Sequence, residues 1–251
     1  MFRPTASCIR SSFRSSGKGR LILTGGDEQE RTALLRTLGP ERPLVQQPCT
    51  GGDGFIVDLD APYGKCGCVI LASGLGKRFG GNKLMADFHG KPMLCRVLSA
   101  TEGIFFRRVV VTRHEDVAHL CRAHGVEAVL HDLPDRSDTV RLGLEALEGV
   151  ERCMYCPGDQ PLLRQETVAA LALAAKNADS AIWRAACGGS HGAPVLFPRW
   201  CFPELLTLPK GKGGGYVVKK YPEHLRTVEV QDPYELMDVD ERSDLEVLLK
   251  R

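Results

Sequence analysis

From Cys66 to Arg251, short apolar runs alternate with segments of helical periodicity, and this alternation limits the fold more than any other feature. Strands read at Cys68–Ala72, Arg108–Thr112, Ala128–Leu130, Arg152–Cys156 and Ser180–Ala185. Helices read at Pro92–Ala100, Glu115–His124, Asp138–Leu147 and Arg164–Asn177, the third with Val140, Leu144 and Leu147 on one apolar stripe. Such alternation implies an α/β fold with a mostly parallel sheet covered on both faces. Ligands of these sheets bind beyond the carboxyl ends of the strands. The loop at Ser73, the residues after Thr112, His131 and the turn at Pro157 are therefore expected along one rim.

The first strand runs into Ser73-Gly-Leu-Gly-Lys-Arg-Phe-Gly-Gly-Asn-Lys83, a loop with four glycines, three cations and no acid. Glycine lets backbone N–H groups approach a ligand closely, and the cations add positive charge, so the loop suits a polyphosphate. It is not a Walker A motif, because no Gly-Lys-Ser/Thr stands at the required spacing. It is not a dinucleotide fingerprint either, since Phe79 stands where a third glycine belongs.

Three later stretches carry further chemistry. Pro157-Gly158-Asp159-Gln160-Pro161 follows a strand, which puts Asp159 at the rim opposite the loop. A carboxylate facing a triphosphate suits magnesium, which binds one or two carboxylates, water and phosphate oxygens. An aspartate that caps the next helix gives the same local pattern. Asp238 and Asp240 flank Val239 and share one face of an extended segment; Asp240 also precedes a helix that it could cap. Lys210-Gly-Lys-Gly-Gly-Gly215 is a second anion cradle or a plain flexible loop.

The tract Leu71-Ala-Ser-Gly-Leu-Gly-Lys-Arg-Phe-Gly-Gly-Asn-Lys83 resembles the Leu-Ala-x-Gly-x-x-x-Arg-Met-Gly-x-x-Lys pattern of molybdenum cofactor nucleotidyltransferases and of relatives that activate sugars and alditols. Phe79 replaces the methionine. The resemblance covers about Cys66 to Arg251. It implies a Rossmann-like three-layer sandwich of the nucleotide-diphospho-sugar transferase type. It implies nucleotide contacts from Leu71, Ala72, Ser73, Gly74, Gly76, Lys77, Arg78, Lys83, Asp138 and Gly158. It makes Arg78, Lys83 and Asp159 the catalytic residues and Asp159 with Asp240 the magnesium ligands. Gly-Asp-Gln-Pro-Leu-Leu at 158–163 is similar to the cytidylyltransferase branch. Two departures stand out. Ala193 replaces a histidine near the acceptor, with His191 two residues earlier. Arg136-Ser-Asp-Thr-Val140 replaces Gly-Met-Ser-x-Ser and is closer to the helix start of isoprenoid cytidylyltransferases, beside the nucleotide base.

The implied reaction is magnesium-dependent transfer of CMP from CTP to the phosphate of molybdopterin, with release of pyrophosphate. A molybdenum hydroxylase would then receive the cofactor. The alternatives are a GTP-using guanylyltransferase, a cytidylyltransferase for another phosphorylated small molecule, and a molybdopterin-binding delivery chaperone without turnover. Ser73 separates none of them, since the guanylyl branch often has glycine there and the cytidylyl branch alanine.

The net charge of +2 gives no case for nucleic acid or membrane binding, and no apolar run is long enough to span a bilayer. Ten cysteines fall largely in apolar runs and read as buried thiols of a cytoplasmic protein. Residues 1–65 form an extension of unassigned role, with 66–251 the nucleotidyltransferase domain. Residues 1–20 are basic and serine-rich, as in a transit peptide or a disordered N-terminus. Two apolar runs, Leu21–Leu23 and Phe55–Val57, flank a helix-like segment at Glu28–Leu38.

Overall fold

A computed structural model describes residues 9–13, 19–24, 45–48, 54–58 and 63–251 apart from 179. The chain falls into two compact units, Met1–Gly64 and Lys65–Arg251. The first contains β1 (Ile9–Phe13), β2 (Gly19–Thr24), β3 (Val45–Pro48) and β4 (Gly54–Asp58) in one antiparallel sheet of order β1-β2-β4-β3. The two apolar runs are paired strands, with Leu21 opposite Val57 and Leu23 opposite Phe55. The helix expected at Glu28–Leu38 lies outside the described residues.

The second unit begins with β5 (Cys66–Ala72), and a short hairpin, β6 (Asp87–Phe88) and β7 (Lys91–Pro92), leads into α1 (Leu94–Ala100). Then come β8 (Arg107–Thr112), α2 (Glu115–Ala123), β9 (Glu127–Leu130), α3 (Arg136–Glu145), β10 (Arg152–Pro157) and α4 (Gln165–Asn177). A hairpin of β11 (Ile182–Cys187) and β12 (Ser190–Pro198) follows, then α5 (Phe202–Leu206), α6 (Gly215–Lys220), β13 (Leu225–Glu229) and α7 (Arg242–Leu248). The sheet order is β13-β11-β12-β10-β5-β8-β9. Only β12 runs against its neighbours in this sheet, so six of its seven strands end on the same rim.

Side chains of successive strand residues point to opposite faces. Val69, Val109, Val111, Cys153 and Tyr155 form one core with Val140 and Leu144 of α3, Leu205 of α5 and Val217 of α6. Cys68, Ile70, Val110, Met154 and Cys156 are fully buried on the other face, which α1, α2 and α4 cover. The three-layer α/β sandwich expected from the alternation is what the chain adopts. Both faces being covered explains why the central strands read as continuous apolar runs rather than alternating ones.

Two expectations shift. The third helix starts at Arg136, two residues before Asp138, because Asp135 and Asp138 form a capping box: each accepts a backbone N–H near the other's position. The fifth strand lies at Ile182–Cys187, against Ser180–Ala185 expected, and His191 and Ala193 both lie in strand β12. The eight described cysteines carry free thiols, seven of them buried, and burial raises the pKa of most of them, Cys121 to about 11 and Cys201 to about 12. Thiolates are the nucleophiles and metal ligands of cysteine chemistry, so raised pKa values disfavour both roles for the buried Cys66, Cys95, Cys121, Cys153, Cys156 and Cys201.

Candidate active site

The glycine loop leaves β5 at the middle of the rim and folds back on itself. Gly76 has φ +58°, and a Cβ there would lie 2.0 Å from the Gly81 carbonyl oxygen, so no other residue fits. The Gly76 carbonyl accepts N–H bonds from Gly80 at 2.9 Å and Gly81 at 3.3 Å. That closure delivers Lys83, the first residue of a single 3₁₀ turn, Lys83–Met85, which Asn82 caps. Asn82 is itself held by its amide donating to Asp116 at 2.9 Å.

Lys83 is 8% exposed, and its ammonium meets three acceptors. Asp159 lies at 2.6 Å, Asp240 at 3.3 Å, and the Val239 carbonyl accepts a third bond. Arg78 reaches the other oxygen of Asp240 at 2.8 Å. Four residues spread over the chain thus converge at one point on the rim. The Gly158 N–H bonds the Leu71 carbonyl at 2.9 Å, and the Val239 N–H bonds the Asp159 carbonyl at 2.9 Å. These two bonds lock the Asp159 turn between the end of β5 and the C-terminal segment. A Cβ at 158 would sit 3.0 Å from the Leu71 oxygen, which accounts for that glycine.

Neither carboxylate is spent on a helix cap. α4 begins at Gln165, well past Asp159, and α7 is capped by a box between Glu241 and Asp244. The Asp244 carboxylate accepts the N–H groups of Asp240 and Glu241, leaving the Asp240 side chain to face Lys83 and Arg78. Asp238 stands beside this cluster. Its side chain is open to solvent on one side, and partial desolvation by the neighbouring residues, followed by the charge of Asp159, raises its pKa. No cluster of three or more His, Cys, Asp or Glu among the described residues forms a closed metal cage. Two partly open carboxylates with oxygen-only chemistry still fit magnesium, which takes few protein ligands and keeps water and phosphate oxygens.

On the other side of the loop, Ser73 links three strands. Its hydroxyl donates to the Val111 carbonyl at 3.1 Å and lies 2.8 Å from His131 Nε2. With the hydroxyl proton committed, Nε2–H is the donor and Nδ1 the bare acceptor. Nδ1 is buried with no partner among the described residues. Burial, then the charge of Arg113, lowers the His131 pKa, so the ring is neutral. His114 meets the Gly74 carbonyl at 2.9 Å, and the Thr112 hydroxyl donates to the Ala72 carbonyl at 3.0 Å. Lys77 is exposed and makes no polar contact among the described residues, and Asp138 is occupied by its cap and by Arg141 at 3.5 Å. The sequence placed His131 and the residues after Thr112 on the rim but gave no hint of their bonds to the loop. Gln160, 1% exposed and donating to the Leu236 carbonyl at 3.0 Å, was also not singled out.

Residues 68–227 match the family model of the MobA-like NTP transferase domain. The chain belongs to this family. A probable molybdenum cofactor guanylyltransferase of Bacillus licheniformis is 30% identical over 189 residues, 71% of this chain and 93% of that protein. The 3-deoxy-manno-octulosonate cytidylyltransferase of Neisseria meningitidis serogroup A is 38% identical over 92 residues, 34% of this chain. The chain spans only 36% of that relative's length. Among solved structures, Rv0371c of Mycobacterium tuberculosis H37Rv superposes with a TM-score of 0.66 at 22% identity, covering 74% of this chain and 99% of that one. The same protein is also solved in complex with manganese, with a TM-score of 0.61. The structural likeness shows that this chain shares the fold of these proteins over 74% of its length. No helix among the described residues is long and apolar enough to cross a membrane.

Proposed function

We propose that this MobA-like protein transfers a nucleoside monophosphate from a nucleoside triphosphate to a phosphorylated small molecule, with CTP as donor and the phosphate of molybdopterin as acceptor. The observation that carries this reading is the convergence of Lys83, Arg78, Asp159 and Asp240 at the mouth of the glycine loop. An acceptor phosphate oxygen attacks the α-phosphorus, the bond from that phosphorus to the bridging oxygen breaks, and pyrophosphate leaves with the electron pair. The N–H groups of the Ser73–Lys83 loop cradle the phosphates. Lys83 and Arg78 offset the negative charge that grows on the α- and β-phosphate oxygens, which is where preorganised charge is most effective. Asp159 and Asp240 would hold magnesium, which when bound neutralises phosphate oxygens and orients them. A molybdenum hydroxylase fits as the receiver of the product.

GTP is the second reading, favoured by the Bacillus relative that matches over most of its length and is named a probable guanylyltransferase. The test is pyrophosphate release from each of the four triphosphates, with magnesium and molybdopterin. Release with CTP alone is expected. Release with GTP alone would replace the donor. Tight molybdopterin binding without release from any triphosphate would favour a delivery chaperone.

A further inference from the structure

Between the chain that follows the Asp159 turn and α1 lies a cavity of about 390 Å³ that the reaction above does not use. It is lined by α1, the start of α4, the 232 segment and the C-terminal residue, with Arg96, Arg164 and Arg251 among its walls. Its volume is in the range of small-molecule sites. Arg96 is fixed by its Nε donating to the Pro161 carbonyl at 3.4 Å and by the Phe88 ring 5.7 Å away. Arg251 stacks 3.9 Å over Tyr234 and makes no ion pair among the described residues. Arg164 is shared with Asp232 at 3.7 Å and Glu235 at 3.8 Å. Glu166 and Asp232 also line the cavity, so its walls carry both signs of charge, three arginines to two carboxylates. Leu162 and Leu163 supply an apolar wall.

We infer that this cavity is a second binding site, for a small organic anion bearing a phosphate or carboxylate group, and that its occupation is coupled to the rim. Guanidinium groups bind both kinds of group in a two-pronged fashion. Two of the arginines are already held by ring stacking or a backbone bond, so little is lost in ordering them. The coupling follows from the walls. Leu162 and Arg164 continue the turn that carries Asp159, and Asp232 opens the segment that leads to Asp238 and Asp240. The two segments are joined by the Gln160 amide on the Leu236 carbonyl and by the Val239 N–H on the Asp159 carbonyl. An anion bridging Arg96, Arg164 and Arg251 would brace both segments. The coupling, unlike the site, rests on the proposed nucleotide site.

The test is calorimetric titration of the full chain with glycerol 3-phosphate and, separately, tricarballylate. Whichever binds should still do so in Lys83→Ala, with a Kd moved by no more than the coupling between the two sites. Binding should weaken at least about tenfold in Arg251→Ala and in the Arg96→Ala, Arg251→Ala pair, both changes at exposed side chains. A saturating probe should shift the triphosphate Kd by about fivefold or more, the usual lower range of coupling between sites. Failure of both probes to bind, or binding untouched by the arginine changes but lost in Lys83→Ala, would overturn the site. Binding with an unmoved triphosphate Kd would overturn the coupling. Because binding is read directly, a chain that binds the probe yet turns over no triphosphate would sink the proposed reaction and leave the anion site standing.

Discussion

Lys83 is nearly closed off from water while bonded to two carboxylates, and that environment fixes what its loss should do. An exposed ion pair is worth up to about 1 kcal/mol, whereas breaking a buried one by removing a partner costs about 3–5 kcal/mol. Asp159 and Asp240 are partly open, so Lys83→Ala is expected to destabilise the chain between those limits. Removing a donor that stabilises developing charge typically costs on the order of a hundredfold in turnover. The expected outcome is therefore a lower melting temperature together with a drop of about a hundredfold in pyrophosphate release. Turnover near that of wild type would take Lys83 out of the chemistry and leave it a structural clamp. The sequence marked Lys83 by its place at the end of an acid-free glycine loop. It did not show that the carboxylates 76 and 157 positions later close on the same ammonium. Contacts of that separation have no local signal: the alternation put Asp159 only on the same rim, and the resemblance made both carboxylates magnesium ligands rather than partners of Lys83. Asp240 illustrates the limit: Asp240 and Glu241 are both adjacent to a helix, and only the backbone geometry shows that Glu241 takes the cap.

Among the elements, α3 sits unusually close to β5 and β8, because Gly143 faces them. A Cβ at 143 would lie 2.3 Å and 2.8 Å from the two Val69 methyl carbons and 3.1 Å from a Val111 methyl carbon. Helix propensity alone favours Gly143→Ala by about 1 kcal/mol. Overpacking a closed core costs about 1–3 kcal/mol, and here the clash is with β-branched side chains of central strands that have few other rotamers. The clash wins, and Gly143→Ala is expected to melt lower by a few degrees, at about 2–4 °C per kcal/mol for a domain of this size. A higher melting point would mean that α3 can move outward without loss. Five of the six like-directed strands and the four main helices were legible because each is an apolar run or a periodic stripe. β12 was not. Ser190-His-Gly-Ala-Pro194 opens it with loop-forming residues, and only Val195–Phe197 read as apolar. Its strand character comes from pairing with β10 and β11 on both sides, which supplies from neighbours what its own composition lacks. β13, Leu225-Arg-Thr-Val-Glu229, has only two apolar residues, three positions apart, so neither a run nor an alternation marks it, whereas the shorter edge strand β9 carries Ala128-Val-Leu130.

At the scale of the whole chain, every residue proposed for nucleotidyl transfer lies in the Lys65–Arg251 unit, as does the stretch that matches the family. That unit has its own seven-stranded sheet and its own core on both faces. Its length is within the usual single-domain range of about 100–200 residues, enough to bury most of its apolar surface. The Met1–Gly64 unit contributes a separate four-stranded sheet that shares no strand with the larger one. We therefore expect a chain beginning at Tyr63 to be soluble, to melt in one cooperative step and to release pyrophosphate as the full chain does. The cut leaves Lys65, the first residue of the larger unit, two residues inside the new terminus. Two measurements on the same preparation decide the matter. Thermal unfolding followed by near-UV dichroism reports whether the core packs, and pyrophosphate release reports whether the rim is assembled. A product that is insoluble, or compact without near-UV signal, would make residues 1–62 part of the folding unit. A well-packed product without turnover would instead assign those residues a part in substrate handling that the family match, which starts at residue 68, does not cover.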